Sequence, residues 1–350
     1  MDIFHALNEQ APTFVWPVKF CVTMAAVTYV LSLITGNVSQ VDRVWTFLPT
    51  IYTAYFALLP LWPRTPALFL FPYAPESIGS SIAGTFSPRA LLMLALVVTW
   101  MFRLSYNTWR RGLFSLKDED YRWEILRQKI PKSLFQLFNL TFIAIAQNII
   151  LFLLGIPTQI AVSEPHAPLG TSDYVLGVLG FLTILIEFTA DNQQYSFQTY
   201  KRSRKIDPNE WPGAQIQWTP QDAERGFVTR GLWGWSRHPN FFCEQTFWII
   251  INLLPILASS FHNPVLKASI SSLAPFTPCL VLCSLFYSST LFTEAISLSK
   301  YPIAYAAYQQ RVGMFIPLLT PVWGLILSIR GKKTETDKLV YGTGERKKVA

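Results

Sequence analysis

The chain has 350 residues, of which 51% are hydrophobic and only 14% charged, a composition too apolar for a soluble globular protein of this length. The formal net charge is +8, but the cationic residues concentrate in two segments between apolar stretches. Such a distribution is typical of the cytosolic loops of a membrane protein, and we expect no nucleic-acid partner.

Seven apolar stretches are long enough to cross a bilayer as helices, which takes about 20 residues each. No series of alternating ten-residue segments predicts a membrane barrel. The sequence therefore predicts an all-α polytopic bundle, with an eighth segment (314–329) that is short, contains two prolines and is expected in the interface or as a re-entrant helix. The predicted spans are residues 14–33, 44–62, 90–106, 134–156, 174–190, 242–260 and 273–298.

The positive charges predict the orientation of these helices. The loops after the third and fifth predicted spans are rich in arginine and lysine, whereas those after the fourth and sixth hold only Lys267. Positively charged loops stay in the cytosol. Seven spans then place the C-terminus in the cytosol, in agreement with the basic tail.

The last four residues, Lys347-Lys-Val-Ala350, form the pattern of a dilysine retrieval signal, which coat proteins recognise on a cytosolic tail. We therefore expect a multi-pass protein of the endoplasmic reticulum membrane. The alternative is a solvated charged tail without a receptor. We divide the chain into an N-terminal part (1–90) with two spans, a membrane domain (91–330) with a cytosolic pocket, and the tail (331–350).

A dense polar motif precedes the sixth predicted span, where Arg237, His238, Asn240 and Glu244 fall within eight residues. Charged and hydrogen-bonding side chains are costly at the edge of a bilayer and mark a functional pocket. Helix capping is the alternative explanation, because Asn240 could be an N-cap and Glu244 could favour the positive end of the helix dipole.

The sequence resembles the steroid 5α-reductase superfamily over residues 98–317. The resemblance rests on Gly231-Leu-Trp-Gly234 with Arg237-His-Pro-Asn240 and Glu244, on Glu187-Phe-Thr-Ala-Asp191 with Gln198-Thr-Tyr-Lys-Arg202, and on Phe315-Ile-Pro317 after a tyrosine-rich segment. Within that superfamily the chain most resembles the uncharacterised steroid-reductase-like membrane proteins of the DUF1295 type.

The resemblance implies that NADPH is the cofactor and that a hydride passes to the C=C bond of an enone-type steroid, sterol or other lipid in the bilayer. Nicotinamide and ribose need amide and carboxylate partners, and the phosphates need cations. The tyrosines lie on one predicted helix face and could equally form an aromatic interface belt. The expected cofactor-binding residues are Arg103, Glu187, Asp191, Gln198, Lys201, Arg202, Trp235, Arg237, His238, Asn240, Glu244, Tyr301, Tyr305 and Tyr308.

The proton donor does not follow from the resemblance in the same way. The 5α-reductases carry a glutamate-leucine-proline element in an early helix, and here Phe47-Leu-Pro49 stands in its place. By residue type, Asp42, Tyr52, Tyr55 and Tyr106 are substitutes, and we predict Asp42 and Tyr106 as the catalytic pair. With four histidines and no zinc-protease spacing, we expect no metal site.

Two other functions remain open at this stage. Isoprenylcysteine and phospholipid methyltransferases, which use S-adenosylmethionine, share a related Arg-His-Pro element. A non-catalytic lipid- or nucleotide-binding membrane protein would explain the missing early glutamate. Asn240 after the proline and Trp233-Gly234 before the motif favour the reductase.

Overall fold

The structure is a computed structural model that describes residues 11–115, 117–262 and 275–342. Within these ranges every regular element is a helix and no strand occurs, which confirms the predicted all-α class. The chain forms two compact units, the first from Met1–Phe181 with Trp248–Leu282 and the second from Leu182–Phe247 with Cys283–Ala350.

Ten helices lie wholly or partly in the first unit before residue 181, several of them short. Lys132–Ser163 is one continuous helical path that contains a π-helical stretch, Asn139–Ala146. The helices are α1 Val15–Thr35, α2 Gln40–Val44, α3 Leu48–Ala57, α4 Ser80–Ala83, α5 Pro88–Arg110, α6 Tyr121–Lys129, α7 Lys132–Phe138, α8 Gln147–Leu153, α9 Ile156–Ser163 and α10 Thr171–Ser203.

The remaining helices follow a long loop after α10. Three helices, α10, α12 and α13, contribute residues to both units. Proline opens several of the remaining helices, because its fixed φ suits the first turn and its missing N–H costs nothing there. They are α11 Pro220–Arg225, α12 Pro239–His262, α13 Thr277–Lys300, α14 Pro302–Arg311, α15 Leu319–Ile329 and α16 Lys333–Tyr341.

Six stretches of the described chain are long and apolar enough to cross a membrane, which identifies a multi-pass membrane protein. They coincide with six of the seven predicted spans. Each includes at least 18 consecutive helical residues, close to the length that a bilayer core requires. The six are Pro12–Thr35, Pro88–Arg110, Lys132–Ser163, Thr171–Ser203, Pro239–Leu257 and Thr277–Lys300.

The second predicted span, residues 44–62, differs from the prediction because it is not a single helix. Its longest helix, α3, has 10 residues and is therefore about 15 Å long, half the thickness of a bilayer core. Pro49 is tolerated in the first turn of α3, whereas Pro60 follows its end and cannot continue the helical hydrogen bonds.

The interrupted segment nevertheless packs against the protein. Arg43, the residue before it, donates from Nη2 to the Ser115 and Asp118 carbonyls, each at 2.6 Å. Within it, the Tyr55 ring stacks on Trp16 of α1 with centroids 4.7 Å apart. Tyr55 and its neighbours in α3 are almost fully buried, so protein rather than lipid surrounds the broken backbone. The segment is therefore not one of the six candidate spans, and a seventh passage stays a prediction.

The predicted eighth segment is also shorter than a span. Its helix, α15, has 11 residues, about 16 Å, and begins two residues after Pro317. Its place in the interface or as a re-entrant helix stays a prediction, as do the orientation of the bundle and the division of the chain at residues 90 and 330. Lys347 and Lys348, the predicted retrieval signal, lie outside the described residues.

Candidate functional site

The motif loop, residues 231–240, lies against α10 within the second unit. Gly231 has a φ of +65°, and a Cβ there would lie 2.5 Å from Gln193 Oε1, so only glycine permits this approach. Gln193 Oε1 accepts from the Leu232 amide at 2.8 Å. Trp233 Nε1 donates to the Ala190 carbonyl at 3.1 Å. These contacts fix one side of the loop.

The segment that follows α13 holds the other side of the motif loop. Tyr308 Oη donates to the Trp233 carbonyl at 2.5 Å, and Thr320 Oγ1 donates to the Trp235 carbonyl at 2.6 Å. The Arg237 and His238 amides donate to the carbonyls of Gly313 at 2.9 Å and Met314 at 3.1 Å. The loop therefore has little freedom to rearrange when a ligand binds.

Glu294 of α13 is the centre of the polar cluster, and the sequence analysis missed it. Arg237 donates to both of its oxygens, from Nε at 2.7 Å and from Nη2 at 3.1 Å. His238 Nε2 lies 2.9 Å from Oε1, and Gln309 Nε2 donates to Oε2 at 2.9 Å. One signal was present in the sequence, since Glu294 is the only acidic residue of α13, an otherwise apolar helix.

The remaining donors of Arg237 are also used inside the protein. Nη1 donates to the Gln309 carbonyl at 3.1 Å and to the Val312 carbonyl at shorter range. The side chain is 7% exposed. Arg237, predicted to bind a phosphate of the cofactor, thus joins α13, α14 and the loop after α14.

Asn240 and Asp191, predicted independently from two motifs, are brought together by the fold. Asn240 Nδ2 donates to Asp191 Oδ1 at 3.3 Å, and Asn240 Oδ1 accepts from the Phe241 amide. Glu187 lies one turn before Asp191 on α10, and Glu244 lies one turn after Asn240 on α12. The three carboxylates are buried and Asn240 is half-buried, so the start of α12 and the middle of α10 form a strongly polar patch.

Lys201 and Tyr301 also form a pair, at the end of α10. Lys201 Nζ donates to the Gly226 carbonyl at 2.8 Å and lies 3.1 Å from Tyr301 Oη. Tyr305 and Tyr308 are 4% and 2% exposed and pack around Phe227, where burial raises the pKa of both phenols. Both tyrosines therefore stay neutral and belong to the core of the unit.

Three predicted cofactor residues lie at the surface or near it. Arg202 is exposed at the end of α10, and Gln198, one turn earlier, is half-buried. Trp235 is 55% exposed although its carbonyl is held by Thr320. These side chains are accessible to a ligand without rearrangement of the core.

The predicted catalytic residues and Arg103 belong to the first unit. Asp42 accepts from Trp123 Nε1 at 3.0 Å, and burial raises its pKa. Tyr106 is 45% exposed on α5, with the Arg110 guanidinium 5.2 Å from its ring centroid. Arg103, one turn earlier on α5, is buried.

The comparisons with known proteins agree with these motifs. The family model described as "Protein of unknown function (DUF1295)" matches residues 28–312. The uncharacterized protein C594.04c of Schizosaccharomyces pombe is 33% identical over 320 residues, which cover 91% of this chain and 82% of that protein. No solved structure matches the chain. The chain belongs to the DUF1295 family, a branch of the steroid 5α-reductase-like membrane proteins.

Proposed function

We propose that the protein is an NADPH-dependent membrane oxidoreductase that reduces an enone-type C=C bond of a steroid, sterol or other lipid. The observation that supports this proposal best is the hydrogen bond between Asn240 and Asp191, two residues of separate reductase-like motifs. Glu187 and Glu244 extend the same polar patch. Buried polar groups beside membrane helices are costly, so such a patch marks a functional site in a steroid reductase-like protein.

The chemistry of the patch fits the nicotinamide and ribose part of a dinucleotide. A carboxamide offers both donors and acceptors, and ribose hydroxyls donate to carboxylates, so Asn240, Asp191 and Glu244 supply complementary groups. When bound, the dinucleotide supplies the hydride. The protein's own residues orient it, exclude water and deliver a proton.

The cations divide into two groups by what they contact. Arg237 is held by Glu294 and two carbonyls, and a phosphate would have to compete with a bidentate carboxylate for it. Arg202 is exposed at the end of α10. We assign the phosphates to Arg202 and its neighbour Lys201, and a structural role to Arg237.

Asp42 and Tyr106 stay the proposed proton donors. Burial raises the pKa of Asp42, which favours the protonated acid that a proton donor must be. Tyr106, the second predicted catalytic residue, is 45% exposed. The indole of Trp123 donates to Asp42 and fixes the orientation of its carboxyl group.

The proposal is tested by cofactor binding and turnover with the full chain in lipid nanodiscs. NADPH binding is followed by energy transfer from tryptophan to the dihydronicotinamide, and turnover by NADPH oxidation with a lipid extract. We expect Asn240→Ala to weaken NADPH binding roughly tenfold, the equivalent of one buried hydrogen bond, and Glu244→Ala to weaken it as well. Asn209→Ala, at an exposed asparagine of the same unit, is the matched control and should bind like the native protein.

Each other outcome contradicts the proposal in a distinct way. Equal binding by the native protein, Asn240→Ala and Glu244→Ala would remove the assigned patch. Binding of S-adenosylmethionine in place of NADPH would identify a methyltransferase. NADPH that binds but is oxidised with no lipid fraction would identify a non-catalytic binding protein.

A further inference from the structure

Glu294 has no role in the proposed chemistry, yet its position is costly. It is 4% exposed and lies six residues before the end of α13, one of the six potential spans. A buried carboxylate in such a helix must be paired and hydrogen-bonded, because the loss of its hydration is otherwise not compensated. Its hydrogen-bond partners therefore indicate its role.

The Glu294 carboxylate has all of its acceptor directions in use. An ionised carboxylate has about four lone-pair sites, and three N–H groups together with the Nε2 atom of His238 approach this one at 2.7–3.1 Å. Two come from Arg237 and one each from His238 and Gln309. A carboxylate saturated in this way neither takes up nor releases a proton during a reaction, so its role is to orient its donors.

The contact with Glu294 determines which nitrogen of His238 carries the proton. Nε2 faces an acceptor that has no proton to give, so Nε2 must be the donor. The charged groups around the ring are Arg237 in the motif loop and Glu294 in α13, which are opposite in sign. Burial lowers the pKa of His238, with the Glu294 carboxylate acting in the opposite direction. A neutral ring with a proton on Nε2 leaves Nδ1 as an acceptor.

Packing fixes the plane of the His238 ring as well. Phe241 stacks on it with centroids 5.7 Å apart and an interplanar angle of 22°, and Phe315 meets it edge to face at 6.1 Å. Nδ1 makes no hydrogen bond to any of the described residues. The ring is thus oriented on three sides although the residue is only 7% exposed, and Nδ1 is its one polar atom without such a contact.

We propose that Glu294 is a positioning residue that holds His238 as the neutral Nε2–H tautomer, so that His238 Nδ1 accepts a hydrogen bond from a donor group of the bound dinucleotide. The second part rests on the proposed function, because it takes the dinucleotide as the ligand. The donor groups available on such a ligand are the carboxamide NH2 and the ribose hydroxyls. His238 then contributes no positive charge toward the phosphates.

The tautomer is tested without any ligand, which separates this inference from the proposed function. The chain has only four histidines, so ¹⁵N-histidine labelling of the full-length protein gives few imidazole signals, and the one lost in His238→Gln is assigned. At neutral pH we expect a protonated Nε2 and an unprotonated Nδ1. A proton on Nδ1 in place of Nε2, or on both nitrogens, would overturn the inference.

Variants at Glu294 test whether this residue is the cause. Glu294→Gln replaces the carboxylate by a carboxamide, which offers the same partners one oxygen acceptor and an NH2 group. We expect both neutral tautomers of His238 to be populated in this variant. Glu294→Asp keeps the carboxylate and should retain the native signal. Glu224→Gln, at an exposed glutamate of α11, is the matched control. An unchanged His238 signal in a folded Glu294→Gln protein would contradict the proposal.

The part that concerns the ligand is tested with a double-mutant cycle on NADPH binding. If Glu294 acts through His238, Glu294→Gln should weaken binding roughly tenfold in the native background and by less than about twofold in a His238→Ala background. Equal losses in both backgrounds would show that Glu294 acts only on the stability of the site. If the native protein binds no NADPH, the proposed function fails while the tautomer result stands.

Discussion

At the scale of single residues, Gly226 shows how closely the site is packed. Its φ of +89° lies in the left-handed region, and a Cβ there would lie 2.3 Å from Cζ of Tyr301. The Gly226 carbonyl also accepts from Lys201. Tyr301 is therefore held between a glycine and a lysine, and any side chain at position 226 would displace the ring.

This contact gives a stability prediction with an internal control. Gly331 has a similar φ, +66°, but nothing lies within 4 Å of its added Cβ. Gly331→Ala should lower the free energy of unfolding by about 1–2 kcal/mol, because the only penalty is the left-handed backbone conformation. Gly226→Ala adds a clash with the aromatic ring and should lower the apparent melting temperature, followed by tryptophan fluorescence, clearly more. Similar melting temperatures for the two variants would show that Tyr301 is not fixed against Gly226.

At the scale of elements, the interrupted second passage depends on close approach between two helices. Gly155 separates α8 from α9, and a Cβ there would lie 2.7 Å from Cβ of Tyr52 on α3. Cβ atoms are rigidly attached to their backbones, so the contact could be relieved only by moving the whole helix. Because Gly155 has no side chain, α3 can pack this closely against it.

We expect Gly155→Ala to destabilise the protein by about 1–3 kcal/mol, the usual cost of overpacking. Gly177→Ala is the control, because its Cβ would meet Leu92 at an ordinary 3.4 Å and alanine favours the helix. The measurement is the fraction of detergent-solubilised protein that stays monodisperse after heating. If the two variants survive equally, α3 does not pack against Gly155 as described.

At the scale of the whole molecule, the number of passages decides the orientation of both ends. Six helices are long enough to cross a membrane, and a passage by the interrupted segment would bring the number to the seven predicted from the sequence. The loop between α9 and α10 should then lie outside the cytosol and the loop after α10 inside it.

Glycosylation mapping in microsomes tests this topology. An Asn-x-Ser/Thr acceptor site inserted within residues 165–169 should be glycosylated, and one inserted within residues 205–210 should not. The reverse pattern would invert the bundle and place the polar patch on the lumenal side.

Replacement of Lys347 and Lys348 by alanine should release the protein from the endoplasmic reticulum, and unchanged localisation would exclude the dilysine pattern as its retrieval signal.

The sequence by itself determined the helical class, six long apolar helices and the motif that carries Arg237 to Glu244. These follow from local information, because bilayer thickness sets the length of an apolar run and because polar side chains beside such a run are costly. The meeting of Asn240 with Asp191 was predicted only indirectly, through two motifs of one family.

Only the tertiary structure decided which charges are paired and which apolar run is interrupted. Glu294 lies 57 residues from Arg237 along the chain, and nothing local indicates which cation a lone acid will meet. The same holds for α3, since an apolar run that contains prolines crosses as one helix in lipid or as several pieces among protein, according to its neighbours. Partners distant in sequence are set by packing, which hydropathy does not encode.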